Sequence, residues 1–176
     1  MENELIRLAR SAILSTLENK PLEIDKTIKE KFSEKKSCFV TLTLNGELRG
    51  CIGSLTPTKP LWKEVIENSI NAAFNDFRFL PLSKKEFNEL KIEISILSEL
   101  EKIEYISLED LFKKIKNKGV FIRHNGFSAT YLPQVWNEIK SPLTFLSSLC
   151  KKAGLSSDFW KNKNLEFFTY NVDIIE

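Results

Sequence analysis

The segment Leu48-Arg49-Gly50-Cys51-Ile52-Gly53 holds the clearest potential for chemistry in this chain, a cysteine two residues after an arginine with glycines at 50 and 53. Alternate side chains of a strand share a face, so Arg49 and Cys51 would point the same way. The guanidinium would then favour the thiolate, which is the nucleophilic form of cysteine. Gly50 and Gly53 leave the backbone open to close approach by a ligand or by another segment of the chain, and nearby amides could receive developing negative charge. The same residues also suit a structural role, because free cysteine is among the most buried residue types and strand glycine often marks a bulge or bend. What the motif lacks is a base. Histidine is the usual partner of a catalytic cysteine, and the single histidine, His124, lies in a distant hairpin.

Other polar residues extend the candidate site. Asp76 could orient Arg49 or act as a base, and Arg78 could clamp a carboxylate or phosphate through paired hydrogen bonds; each could instead belong to a loop salt bridge. Tyr131 and Gln134 are candidate groove residues, whereas Trp136 is assigned to the core, where large aromatics concentrate. One histidine, no Cys-x-x-Cys and no His-x-x-x-His argue against a metal centre, and the absence of a glycine-rich phosphate loop argues against a nucleotide cofactor. No cofactor is expected.

Three segments in order resemble the signatures of one known family. Leu44-Asn45-Gly46-Glu47-Leu48-Arg49-Gly50-Cys51-Ile52-Gly53 is similar to the defining motif of the AMMECR domain family. Ala72-Ala73-Phe74-Asn75-Asp76-Phe77-Arg78-Phe79 and Ala129-Thr130-Tyr131-Leu132-Pro133-Gln134-Val135-Trp136 resemble its two other conserved stretches, and the likeness continues through Leu149-Cys150-Lys151-Lys152-Ala153-Gly154-Leu155. Phe77 stands where the family usually has proline, which leaves the conformation of the loop bearing Asp76 and Arg78 open. The resemblance implies one domain over residues 1–176, with a larger lobe built from both chain ends, a smaller lobe, and the signature motif lining a cleft. It also implies, through the AmmeMemoRadiSam system to which family members belong, a pathway shared with a Memo-like protein and a radical S-adenosylmethionine enzyme. It supplies no settled reaction. The chain has no iron-sulfur ligand triad, so radical chemistry would belong to the partner.

Hydrophobic periodicity places these motifs. Leu5, Ala9, Ala12, Ile13 and Thr16 repeat at helical spacing before Pro21. Cys38 to Leu44 and Glu47 to Ile52 read as strands joined by the hairpin signal Asn45-Gly46; a two-residue turn would set Val40 against Cys51 and Leu42 against Arg49, with Phe39 and Leu48 on the other face. A helix follows from Pro60 to about residue 74. Ser83 and Glu86 form a capping box, and Lys91 to Ser98 alternates as a half-buried strand. Another helix runs from Leu108 to near Gly119, strands at 120–124 and 127–132 flank Asn125-Gly126, a helix runs from Ser141-Pro142 to Gly154, and Leu165 to Ile174 is a last strand. Strands that arrive as hairpins predict an α+β fold with a largely antiparallel sheet and flanking helices.

Composition bounds the rest. With 176 residues, 42% of them hydrophobic, the chain can bury a sizeable core. A net charge of +2 from 26 basic and 24 acidic residues is not the footprint of a nucleic-acid binder, and the lysine run from Lys113 to Lys118 reads as a solvated face. The acidic start argues against a signal peptide, and no run approaches the about 20 apolar residues a membrane span needs. Three cysteines without paired spacing suit a reducing compartment, the cytoplasm. Two function classes remain: a cysteine-dependent enzyme acting on a small molecule or protein, and a non-catalytic binding or adaptor module using the same cleft.

Overall fold

A computed structural model describes residues 3–176. Its elements run α1 (Glu4–Leu17), α2 (Lys26–Lys31), β1 (Cys38–Leu44), β2 (Glu47–Gly53), α3 (Leu61–Phe74), α4 (Lys84–Phe87), β3 (Lys91–Leu97) and β4 (Glu101–Lys102). The chain continues through α5 (Leu108–Ile115), β5 (Gly119–His124), β6 (Phe127–Tyr131), α6 (Pro142–Lys152), β7 (Glu166–Tyr170) and β8 (Val172–Ile175). The fold is α+β, with two four-stranded sheets ordered β2-β1-β3-β8 and β4-β7-β5-β6. Two compact units result: the larger takes the chain up to Leu97 together with Asp173–Glu176, and the smaller is Ser98–Val172.

The larger unit is built on one sheet face. Val40 and Leu42 of β1 and Ile92 and Ile94 of β3 alternate inward and meet Leu5, Ala9 and Ile13 of α1 and Val65 and Ala72 of α3. Burying each large aliphatic side chain contributes about 1.5–3 kcal/mol. Asn3 caps α1 by accepting from the Leu5 amide, and α4 opens with the expected capping box between Ser83 and Glu86. In the smaller unit a separate core gathers Leu111, Ile115, Val120, Ile122, Phe145, Leu149 and Phe167. Trp136 belongs to that core, stacked on Phe145 at 3.9 Å between ring centroids, with its indole N–H donating to the Lys118 carbonyl.

Two expectations are corrected, and two short elements are added. The predicted strand from Leu165 to Ile174 is two strands, broken at Asn171, that serve different sheets. Helix α2, capped by Asp25, and the two-residue strand β4 carry too little periodicity to announce themselves. The second correction is the register of the first hairpin. Asn45 and Gly46 take positive φ values of 52° and 85° and form the expected two-residue turn, so Leu44 pairs with Glu47 and Thr43 with Leu48. Arg49 is then an extra residue: the register shifts between Leu42 and Thr43, Gly50 pairs with Leu42, and Cys51 pairs with Thr41. A bulge of one residue exchanges the two faces beyond it. Cys51 therefore lies with Thr41, Phe39 and Leu48 on the outer face, and Gly50 and Ile52 turn toward the core.

Candidate functional site around Cys51

β2 is an edge strand, and at Cys51 its outward backbone groups are met by side chains. The Cys51 amide donates to Asp76 Oδ2 at 2.9 Å, and Arg78 Nη2 donates to the Cys51 carbonyl at 3.3 Å. A carboxylate and a guanidinium thus occupy the positions that a neighbouring strand's C=O and N–H would take, which closes an edge otherwise open to pairing. The loop is shaped for this. Asp76 Oδ1 accepts from the Arg78 backbone amide at 3.2 Å and from Arg78 Nε at 2.9 Å, Oδ2 accepts from Arg78 Nη2 at 2.7 Å, and the Phe79 amide closes a turn onto the Asp76 carbonyl at 3.0 Å.

The Asp76 side chain is only 1% exposed while that of Arg78 is 43% exposed. The paired Arg78 guanidinium, aided by the Cys51 amide, holds the Asp76 carboxyl down at about 2 despite burial, and Asp76 in turn raises Arg78. The paired contact with Arg78 is the loop salt bridge weighed as the alternative for Asp76.

Arg49 does not orient on Asp76. Its Nε donates to Glu86 Oε1 at 2.7 Å, Nη2 donates to the Leu80 carbonyl at 2.8 Å, and the side chain is 12% exposed. Arg49 and the Ser83 amide hold the Glu86 carboxyl at about 2. Glu86 is thereby both the partner of the helix cap and the counter-ion of the arginine. Both Arg49 and Arg78 lie over the ring of Phe79, at 5.7 and 5.4 Å from its centroid.

The group that does meet the thiol is Thr41, whose hydroxyl donates to Cys51 Sγ at 3.3 Å. Cys51 is half-buried, whereas Cys38 and Cys150 are buried, and all three are free. Burial pushes the Cys38 thiol up to about 12 and raises that of Cys150. Thr41 escaped the sequence reading because its place opposite Cys51 depends on the bulge.

The glycines have a packing role. A Cβ on Gly50 would lie 2.1 Å from the Ala72 carbonyl oxygen of α3, and one on Gly53 would lie 2.3 Å from the Phe39 ring. The segments that approach these backbones closely are thus α3 and Phe39, the second of the two alternatives weighed for these glycines. Tyr131 and Gln134 belong to the smaller unit. Tyr131 hydrogen-bonds through its hydroxyl to Ser148 Oγ at 2.8 Å and packs edge-on against Phe145, and Gln134 sits half-buried in the 3-10 turn Pro133–Asn137. His124, also in that unit, has its Nδ1 3.1 Å from the Asn164 carbonyl. Among the described residues no cluster of three His, Cys, Asp or Glu side chains could hold a metal ion, and no helix is long and apolar enough to cross a membrane.

The family model described as AMMECR1 matches residues 6–175. The chain belongs to the AMMECR1 family. A protein of Aquifex aeolicus is 36% identical over 178 residues, covering 98% of this chain and 91% of its own length. One from Methanopyrus kandleri is 37% identical over 182 residues, covering 98% and 86%. The crystal structure of an uncharacterized protein from Pyrococcus horikoshii superimposes with a TM-score of 0.89 at 35% identity, covering 97% of this chain and 88% of that one. In this AMMECR1 chain the signature motif does three separate things. Arg49 supplies the bulge and an ion pair, Gly50 admits α3, and Cys51 presents a thiol on the outer face.

Proposed function

We propose that this AMMECR1-family protein is a cysteine-dependent enzyme whose reacting atom is Cys51 Sγ. The observation that carries the reading is the half-buried thiol on the outer sheet face, with the Thr41 hydroxyl donating to it at 3.3 Å. The Thr41 hydroxyl directs a hydrogen bond at the sulfur, and the Asp76–Arg78 clasp on the Cys51 backbone holds the residue from the other side. Arg49 acts as a positioning residue in this scheme, since its charge is spent on Glu86. As its thiolate, Cys51 attacks an electrophilic atom of a small molecule or protein and breaks that atom's bond to its leaving group, which departs with the electron pair; the bond formed is a thioether at a saturated carbon, a thioester at an acyl carbon, or a disulfide at a disulfide sulfur whose partner leaves as a thiolate. The reaction would take place in a reducing compartment such as the cytoplasm, as one step of a modification pathway shared with Memo-like and radical S-adenosylmethionine proteins. A second reading, a non-catalytic binding or adaptor module using the same face, is favoured by one observation: the charges of Arg49, Asp76 and Arg78 are all engaged in ion pairs.

Iodoacetamide at neutral pH separates the two. Cys51 should label at least about tenfold faster than Cys38 or Cys150, and Thr41→Val should slow it by about tenfold, the factor expected for one hydrogen bond to a charged sulfur. Labelling of Cys51 no faster than the two buried thiols would refute the enzyme and leave the binding module.

A further inference from the structure

The outer face of the first sheet is ordered in transverse rows. Cys51 pairs with Thr41 and Thr41 with Glu93; on the next row Leu48 pairs with Thr43 and Thr43 with Lys91. Thiol, hydroxyl and carboxylate therefore lie side by side, with a hydroxyl and an ammonium one row away. A carboxylate half-buried in mid-strand is uncommon, since charged residues are depleted both in strands and in partly buried positions. This one is also oriented: the fully buried Ser95 donates its hydroxyl to Glu93 Oε1 at 3.3 Å. Thr41, Thr43, Lys91 and Glu93 line one recess of about 390 Å³, together with the apolar Ile6, Leu90 and Ile92 and a second carboxylate, Glu176. Arg10 also lines the recess, and its guanidinium donates to the Leu90 carbonyl at 2.9 Å. The size is that of a small-molecule site.

We infer that this recess binds a free α-amino acid, with Glu93 receiving the ammonium group, Lys91 the carboxylate, and Ile6, Leu90 and Ile92 a hydrophobic side chain. Glu93 and Lys91 are two residues apart on one face, a spacing of about 6.7 Å along the strand. An amino acid carries its two charges on a single carbon and bridges such a gap with a charge-assisted hydrogen bond of about 2.8 Å at each end. An amine or a carboxylate alone engages only one of the two side chains. Because Thr41 lines the recess and touches Cys51 Sγ, the bound amino acid lies one residue from the thiol. In this the inference deepens the cysteine reading and rests on it for the ligand's role as substrate, though not for its binding.

The test is calorimetric titration of the intact protein with leucine, methionine and phenylalanine, beside N-acetylleucine and leucinamide, which each lack one charge. The free amino acids should bind and should protect Cys51 from iodoacetamide; the blocked forms should do neither. Glu93→Gln and Lys91→Gln should each weaken binding about tenfold, the factor for one charge-assisted hydrogen bond. Lys91 is exposed, so its variant keeps the test available if Glu93→Gln fails to fold. The inference is overturned if none of the three amino acids binds, if a blocked form binds as tightly as its parent, or if neither substitution changes the affinity. Calorimetry does not read the thiol, so Cys51→Ser should still bind. Amino-acid binding without selective Cys51 labelling would sink the nucleophile and spare this site, and selective labelling without binding would do the reverse.

Discussion

Replacing Asp76 with asparagine keeps the shape of the edge clasp and removes its charge. The carboxylate accepts four hydrogen bonds, from the Cys51 amide and from Arg78, and its side chain is 1% exposed. Holding the carboxyl at about 2 against an ordinary 3.8 corresponds to about 2 kcal/mol, at about 1.4 kcal/mol per tenfold change in acidity. The amide adds a penalty, because its NH₂ faces donors on one side or the other. Arg78, at 43% exposed, returns to water when its partner is neutralised, which keeps the loss below the 3–5 kcal/mol of a fully buried pair. Asp76→Asn should therefore destabilise by about 2–3 kcal/mol and lower Tm by roughly 5–10 °C, at 2–4 °C per kcal/mol for a chain of this length. Amide exchange at Cys51 should accelerate. The sign with pH is fixed by the depressed folded-state value. The wild-type advantage is fully present above the unfolded carboxyl's range near 4 and disappears as pH falls through about 2. Urea denaturation of both proteins at neutral pH and near pH 3 reads this directly. A Tm change under about 1 °C, or an advantage that does not shrink in acid, would refute the clasp.

Two further substitutions probe the same strand and loop. Gly50→Val should destabilise by at least about 3 kcal/mol, since even its Cβ would meet the α3 backbone, whereas Gly46→Asn, at a positive φ with open space around it, should stay within about 1 kcal/mol; equal losses in denaturant midpoint would contradict the packing role of Gly50. Phe77→Pro should stabilise by about 0.4–1 kcal/mol, because residue 77 is the second position of the Asp76–Phe79 turn, is 95% exposed, and suits the fixed φ of proline; a lower melting temperature would mean that the turn has another conformation.

How far the sequence can be read is visible in these same residues. Elements set by local chemistry are legible: the helices that begin at Ser83, Ser107 and Ser141 each have a capping serine, and the turns at Asn45-Gly46 and Asn125-Gly126 take the left-handed conformation that this pair favours. Asn171 illustrates the opposite case. One apolar alternating run continues across it, yet β7 and β8 serve different sheets, and that choice is made by distant strands.

The site was legible in composition and illegible in partnership for one physical reason. Arg49, Gly50, Cys51, Asp76 and Arg78 do converge in the larger unit, but with Arg49 bulged out of register every residue after it changes its cross-strand neighbour. Alternation from the turn assigns Arg49 to Leu42 and Cys51 to Val40, which would leave the thiol facing the core. The bulge moves Cys51 beside Thr41, and through Thr41 beside Glu93. The ion pair between Arg49 and Glu86 is what stabilises this arrangement, since it gives the guanidinium of the extra residue a partner on α4. Arg49 thus bears on thiol chemistry through the register of its strand, and a variant that lost the bulge would carry Cys51 to the wrong face with its side chain chemically unchanged.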